Sequence, residues 1–320
     1  MKKKVVIIGG DINGLLCGYL FRKYNVDVVV IEDGQVAREF IHGGLEYVYN
    51  TEPITAILDE LKMEYSGFPI RGGIMLREQV LRYPACFKDK KTTGVNRIKL
   101  DYFRKTRRVN SLVKNTKKAI SDLLDTTRSR RAVRTDCEEL VAKLSSSLNF
   151  VRATPMMLSE NSVLTTKGRI EFDFLVFTRP LWELRNLVHW EVPRCVAIRL
   201  GMAFVVPLGY PYSAWDYVLT PYTPANRIHR FFPFETGFKA EFSGGTNMYE
   251  LQSDLNFIFK KGWYLQGVRD DFVGYLLPLT SKINWPHRFA PLGRLAKWDQ
   301  KTTLDSTLVE VIELARKWFK

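Results

Sequence analysis

The first thirty-odd residues constrain the fold of this chain more than any other stretch. An apolar run from Val5 to Ile8 leads into the glycine turn Gly9-Gly10-Asp11-Ile12-Asn13-Gly14. A helical stretch follows, and a second apolar run from Val26 to Ile31 ends at Glu32. A strand, a glycine turn, a helix, a strand and an acidic residue, in this order, indicate a dinucleotide-binding βαβ unit.

Each part of this unit has a chemical role. The start of the helix presents unpaired N–H groups and the positive end of its dipole to a pyrophosphate. The acid after the second strand accepts hydrogen bonds from a ribose. The alternative is a buried βαβ unit that binds no ligand. The cofactor-binding residues predicted in this region are Gly9, Gly10, Asp11, Asn13, Gly14, Glu32 and Asp33.

Asp11 departs from the pattern, because it stands where the second glycine of the fingerprint is expected. That glycine normally lets the backbone approach the phosphates, and a carboxylate there is sterically and electrostatically awkward. Either the side chain points away, or other groups hold part of the pyrophosphate.

Length and composition fit two linked domains with an ample core, since 320 residues are 46% hydrophobic and 13% aromatic. No apolar run approaches the ~20 residues of a membrane span, and the N-terminal stretch lacks a signal-peptide cleavage site. We therefore expect a cytoplasmic protein without a membrane partner.

The four Cys and four His show no disulfide or metal-ligand spacing, so no metal is expected. Hydrolase chemistry is not supported either, because no Ser-His-Asp set is visible.

The positive charge is concentrated in one block. Between Lys88 and Arg134 lie sixteen of the 48 Lys and Arg, against four Asp, in a chain of net charge +14. Cations interleaved with Tyr102 and Phe103 favour a polyanionic partner such as DNA, although a solvated charged face would carry the same charges. The predicted nucleic-acid-binding residues are Lys90, Lys91, Arg104, Lys105, Arg107, Arg108, Arg130 and Arg131.

The rest of the chain predicts a mixed α/β protein. Apolar periodicity indicates helices over 51–63, 111–124, 136–147 and 253–261 and at the C-terminus, a strand over 148–153, and a fully buried strand within 172–180 that ends at a proline. From Val196 to Tyr275, strand-like runs alternate with Pro, Gly and aromatic residues, which is typical of an antiparallel sheet. Aromatic and basic residues of that region and of its flanks could line a substrate pocket, with core packing as the alternative for the aromatics: Trp215, Tyr217, Tyr249, Tyr275 and Arg230.

Four features together resemble the glutathione-reductase-type flavoproteins, in the branch of the flavin amine oxidases and UDP-galactopyranose mutase. They are the N-terminal fingerprint with Glu32, the Gly43-Gly44 doublet, the strand within 172–180, and Leu292-Gly293-Arg294 through Trp298 to Asp305. The resemblance implies a Rossmann-like FAD-binding domain with an inserted α+β substrate domain. It divides the chain into a discontinuous FAD-binding domain of residues 1–85, 138–190 and 285–320, a basic helical insert of 86–137 and an antiparallel substrate domain of 191–284.

The same resemblance assigns roles within a bound FAD. It implies that Gly43 and Gly44 approach the cofactor, that Gly293 and Arg294 lie near the pyrophosphate, and that Asp305 holds the ribitol. Val151 would offer its backbone to the adenine.

The basic block and the segment from Pro193 to Tyr275 resemble the flavin-dependent enzymes with which phages hypermodify thymine in DNA and evade restriction. This resemblance implies C–N bond oxidation or cleavage on an amine-bearing thymidine, for example conversion of a glycine adduct to 5-aminomethyl-deoxyuridine, in the host cytoplasm. Two alternatives stay open. One is a mutase-like isomerase or a small-substrate amine oxidase, and the other is a non-catalytic nucleic-acid-binding module. The sequence indicates neither a catalytic base nor an oligomeric state.

Overall fold

The computed structural model of the chain describes residues 2–34, 48–69, 72–76, 79–83, 131–195, 197–208, 217–219, 227–234, 237–260, 262–276, 279, 283–299 and 302–319. The chain divides into two compact units. The first unit contains the described parts of Met1–Phe68, Ala132–Cys195 and Pro278–Lys320. The second contains the described parts of Pro69–Arg131 and Val196–Leu277.

A parallel sheet forms the centre of the first unit. Its order is β18-β12-β1-β2-β8, and every neighbouring pair is parallel. The side chains of Val5 to Ile8 are buried without exception, as expected for a strand covered on both faces. The five strands are β1 (Lys4–Ile8), β2 (Asp27–Glu32), β8 (Asn149–Arg152), β12 (Phe174–Phe177) and β18 (Phe289–Pro291).

Helices join the two ends of the chain in this unit. Phe21 packs against Trp318, with ring centroids 5.9 Å apart, and Trp318 stacks on Phe174 of β12 at 4.5 Å. Lys3 Nζ donates to the Trp318 carbonyl at 2.7 Å. The described helices are α1 (Ile12–Arg22), α2 (Glu52–Glu60), α3 (Cys137–Ser146), α4 (Leu181–Leu184), α5 (Met248–Ile258, in the second unit), α6 (Arg294–Lys297) and α7 (Leu304–Phe319). Among these residues, none of the helices combines the length and apolar character that crossing a bilayer requires.

Two small sheets complete the first unit. One is an antiparallel meander in the order β11-β10-β9, and the other has the order β3-β7-β4. Their strands are β3 (Val48–Tyr49), β4 (Tyr65–Pro69), β7 (Arg131–Thr135), β9 (Pro155–Leu158), β10 (Ser162–Thr165) and β11 (Gly168–Glu171).

The second unit is built on a larger sheet in the order β17-β13-β16-β15-β14-β5-β6. It is antiparallel except where β14 and β5 run parallel. Residues 72–76 and 79–83, which were predicted to lie in the cofactor domain, belong to this sheet. Helix α5 covers one face through a core that includes Phe231, Phe242 and Leu255. The strands are β5 (Gly72–Leu76), β6 (Gln79–Tyr83), β13 (Ala197–Pro207), β14 (Tyr217–Leu219), β15 (Ile228–Phe234), β16 (Gly237–Ser243) and β17 (Trp263–Leu276).

Helix α5 begins earlier than its apolar periodicity suggests. It was predicted over 253–261, but it runs from Met248 to Ile258. Asn247 and Glu250 form a capping box, in which each side chain accepts a hydrogen bond from the other residue's backbone N–H. This signal is visible in the sequence and fixes the first turn. The helix predicted over 111–124 lies outside the described residues.

The packing of α1 on β1 depends on Gly14. A Cβ atom built on Gly14 would lie 1.9 Å from the Gly9 carbonyl oxygen, a distance no side chain tolerates. The obstacle is backbone, so it cannot move aside without displacing the turn. The third glycine of the fingerprint is therefore required by close packing of helix and strand.

We expect Gly14→Ala to destabilise the protein by about 3 kcal/mol or more, because the added methyl group forces the helix away from the sheet. Urea denaturation would measure the loss. Gly267→Ala is the matched control, since nothing lies within 4 Å of the added Cβ. Equal stability of the two variants would show that the turn adjusts freely.

Candidate dinucleotide-binding site

The carboxyl ends of the parallel strands meet at one edge of the sheet. Ile8 pairs with Phe177 of β12 on one side and with Ile31 of β2 on the other. The chain adds β2 and β8 on one side of β1 and β12 and β18 on the other side. The strand order therefore reverses beside β1, and ligands of open α/β sheets bind in the crevice at such a switch point.

Asp11 caps helix α1. Its Oδ1 accepts a hydrogen bond from the Gly14 N–H at 2.8 Å, and the Asn13 side-chain amide lies 3.4 Å from its Oδ2. The carboxylate thus uses N–H groups at the helix start that would otherwise bind a phosphate. Burial raises the pKa of Asp11, while hydrogen bonds from Gly14, Thr178 and Asn13 oppose the rise.

Thr178 joins β12 to this turn. Its N–H donates to the Ile8 carbonyl at 3.0 Å, and its hydroxyl lies 3.3 Å from the Gly9 carbonyl oxygen. The hydroxyl also lies close enough to the Asp11 carboxylate to lower its pKa. Thr178 was not among the predicted site residues, although a polar residue directly after a buried strand is a usable signal.

Two acids, Glu32 and Asp33, lie at the end of β2. The Glu32 carboxylate lies over Gly10, where a Cβ would come within 2.6 Å of its Oε2. Asp33 forms an ion pair with Arg179, with 2.8 Å between Oδ2 and a terminal guanidinium nitrogen. The Nε of Arg179 lies 2.6 Å from the Glu183 carboxylate, close enough for an ion pair although not aligned as a hydrogen bond. Arg179 therefore holds the Asp33 carboxylate in place beside Glu32. This role of Arg179 was not predicted from the sequence.

The C-terminal segment reaches the same turn. Gly293 has φ +88°, and a Cβ on it would lie 2.9 Å from the side-chain amide of Asn13. Arg294 begins α6 directly after this glycine, and Asp305 lies in the first turn of α7. Lys297 of α6 binds both Glu310 oxygens of α7, at 2.8 and 2.7 Å.

Two carboxylate oxygens of this unit are buried without a donor in the described part of the chain. They are Oδ1 of Asp33 and Oδ1 of Asp305. A buried acceptor without a donor is costly, and ligand hydroxyl groups would satisfy it. Together with the glycine turn and Glu32, these acceptors fit a ligand rich in hydroxyl groups, as a dinucleotide is.

Val151, which was predicted to contact the adenine, lies on β8 and pairs with Ile31 near the end of β2.

Other predicted site residues are located as follows. Gly43, Gly44 and Trp215 lie outside the described residues, as do the predicted nucleic-acid-binding residues other than Arg131, whose backbone is in β7. Tyr217, Arg230 and Tyr275 belong to β14, β15 and β17, and Arg230 pairs with Leu219 in the sheet register. Tyr249 lies at the start of α5 with 82% of its surface exposed. No cluster of three potential metal ligands occurs within the described ranges.

Comparisons with known proteins identify relatives of the fold. No family model matches the chain. A D-amino acid dehydrogenase of Helicobacter pylori is 41% identical over 68 residues, which is 20% of this chain and 17% of that protein. The chain therefore spans less than a fifth of the length of that curated relative.

Similarity to solved structures extends over the whole chain. Cyclohexylamine oxidase from Brevibacterium oxydans superposes with a TM-score of 0.67 at 10% identity, covering 100% of both chains. Reduced UDP-galactopyranose mutase gives a TM-score of 0.66 at 11% identity, covering 98% of this chain and 93% of the other. The protein has the fold of the amine oxidases and UDP-galactopyranose mutase. The predicted Rossmann-like α/β fold class is thus confirmed, and the resemblance to this branch is confirmed at the level of the fold.

We expect Arg179→Met to destabilise the protein by about 3 kcal/mol, because it removes the guanidinium that pairs with the partly buried Asp33 carboxylate and with Glu183. Thermal and urea unfolding would measure this loss. Adding Asp33→Asn should recover part of it, as a double-mutant cycle would detect. Lys23→Met, which breaks an exposed pair with Glu60, is the control and should cost less than about 1 kcal/mol. A loss equally small for Arg179→Met would contradict a fixing role.

Proposed function

We propose that the protein is an FAD-dependent oxidoreductase of the amine-oxidase type that acts on an amine-bearing thymidine in DNA. The cofactor part is supported chiefly by two buried carboxylate oxygens, Asp33 Oδ1 and Asp305 Oδ1, that accept no hydrogen bond from the described residues. They come from opposite ends of the chain. A dinucleotide with an adenosine ribose and a ribitol chain has hydroxyl donors at both of its ends. The fold shared with amine oxidases supports the reaction class.

The chain's own residues would bind and orient this cofactor. Glu32 and Asp33 would accept hydroxyl hydrogens at the end of β2, where Arg179 pairs with Asp33, and Asp305 would do so at the start of α7. Gly293 allows close approach of the backbone beside Asn13. The chemistry that the bound cofactor supplies is acceptance of a hydride from the carbon next to the substrate nitrogen.

The DNA part of the proposal is supported by charge. Sixteen Lys and Arg against four Asp lie between Lys88 and Arg134, which suits the phosphates of a polymer. A small amine would not require such a block. The aromatic residues proposed for the pocket, among them Tyr217 and Tyr275, would stack on an extruded base.

The cofactor assignment predicts a yellow protein from which denaturation releases FAD, identified by mass spectrometry. Glu32→Ala should weaken FAD binding by roughly tenfold to a hundredfold, because charged hydrogen bonds to the ribose are lost. Flavin fluorescence titration of the apoprotein would measure this change. Glu171→Ala, at an exposed carboxylate on β11, is the control. The assignment fails if the protein neither retains nor binds FAD.

The substrate assignment predicts that DNA carrying an aminoalkyl thymidine bleaches the flavin absorbance under anaerobic conditions. Free amines and UDP-galactopyranose should bleach it much more slowly. DNA affinity should fall steeply with salt, since cations that bind phosphates release counterions. Faster reduction by a free amine would favour a small-substrate oxidase. Turnover of the UDP-sugar by the reduced enzyme would favour a mutase, and salt-independent DNA binding would contradict the role of the basic block.

A further inference from the structure

We infer that the Asp11 carboxylate occupies the anion position at the start of α1, so that a dinucleotide binds there only as Asp11 takes up a proton. This inference rests on the proposed function and adds a proton linkage to it. In the fingerprint a glycine at this position leaves the helix N–H groups to the pyrophosphate. Here a negative side chain already uses them.

The contacts of Asp11 support this inference. The Gly14 N–H donates to Oδ1 at 2.8 Å, a normal charge-assisted distance, and the Thr178 hydroxyl and the Asn13 amide also face the carboxylate. Asp11 is half-buried on the turn between β1 and α1. A pyrophosphate entering the same position would bring two negative charges next to a third, in surroundings that screen charge weakly. Protonation of Asp11 removes that repulsion and leaves an O–H that can donate to a phosphate oxygen.

Other charged groups around the turn do not replace Asp11 in this role. Cys17 on α1 is fully buried, and its pKa is raised well above the ordinary value by burial and by Asp11 and Glu310, so it stays neutral. Glu310 is bound by Lys297. Arg179, whose side chain passes close to Gly9, is held by Asp33 and Glu183, and Glu32 borders Gly10. All of these groups remain in a variant that changes Asp11 alone.

The direction of the pH effect follows from proton uptake. The free site binds its proton more weakly than the occupied site, because the pyrophosphate raises the proton affinity of Asp11 further. Affinity for FAD is therefore highest at low pH and falls as pH rises through the pKa of Asp11 in the free site. Since burial raises that pKa, the fall begins above about pH 4, the ordinary aspartate value.

FAD titrations of the apoprotein between pH 5 and 8.5 test this linkage. For the natural chain we expect Kd to rise by up to about tenfold per pH unit over part of this range. Asp11→Asn keeps a good helix cap but cannot ionise, so its Kd should stay nearly constant and lie below the natural value at pH 8. Asp11→Gly, which restores the fingerprint, should bind at least as tightly as the natural chain at pH 8. Asp136→Asn, at an exposed Asp that caps α3, is the matched control and should titrate like the natural chain.

Thermal unfolding of the apoprotein gives a second readout that needs no ligand. A raised pKa in the folded state means that ionised Asp11 costs stability at neutral pH and that this cost disappears as pH falls below that pKa. Asp11→Asn should therefore raise Tm at pH 7.5 and lose this advantage at low pH.

Identical pH profiles for the natural chain and Asp11→Asn would overturn the inference while leaving FAD binding intact. Weaker FAD binding by Asp11→Asn and Asp11→Gly at every pH would also overturn it, because the carboxylate would then be a favourable ligand contact. Absence of FAD binding by every variant at every pH would instead reject the proposed function on which the inference rests.

Discussion

The site depends on one close contact, in which Gly14 of α1 lies against the carbonyl of Gly9 at the end of β1. A Cβ at this position would come within 1.9 Å of that oxygen, so only glycine allows the helix to start so near the strand. The contact brings the first N–H groups of α1 to the sheet edge where β1, β2 and β12 end. The other groups of the site are arranged around those N–H groups.

Long-range pairing completes the site from separate parts of the chain. Thr178 meets Ile8 across 170 residues, and Gly293 meets the Asn13 amide at the same turn. Stacking of Trp318 on Phe174, with Phe21 close to the same indole, anchors α7 and so fixes Asp305 in its first turn. Helices α1 and α7 supply apolar side chains to the hydrophobic core. The same helices supply polar groups to the sheet edge at which a ligand would bind, so packing of the core positions the site.

The sequence predicts best what is local. The fingerprint from Val5 to Glu32 is encoded by residues that are close together in the sequence. The structure contains the predicted strand, turn, helix and strand at these positions. Gly293 and Asp305 could be suggested only by resemblance, because nothing in their own surroundings marks a ligand. Arg179 was missed because its partner Asp33 is distant in sequence, and an ion pair between distant residues leaves no periodic signal. The early start of α5 was missed for a different reason, since apolar spacing locates helix faces more reliably than helix ends.

Asp11 shows how one residue can satisfy the fold and oppose the ligand. As an N-cap it pairs orphan N–H groups at the start of α1, which favours the folded apoprotein. As a half-buried carboxylate it is itself destabilised, and burial raises its pKa. A pyrophosphate needs the same N–H groups, so the capping energy must be given up or the charge neutralised before a cofactor binds. A glycine at this position leaves those groups unpaired in the empty site and available to the ligand. An aspartate at this position therefore pairs those groups in the empty site, but it adds a half-buried charge that must be neutralised or displaced before a cofactor binds.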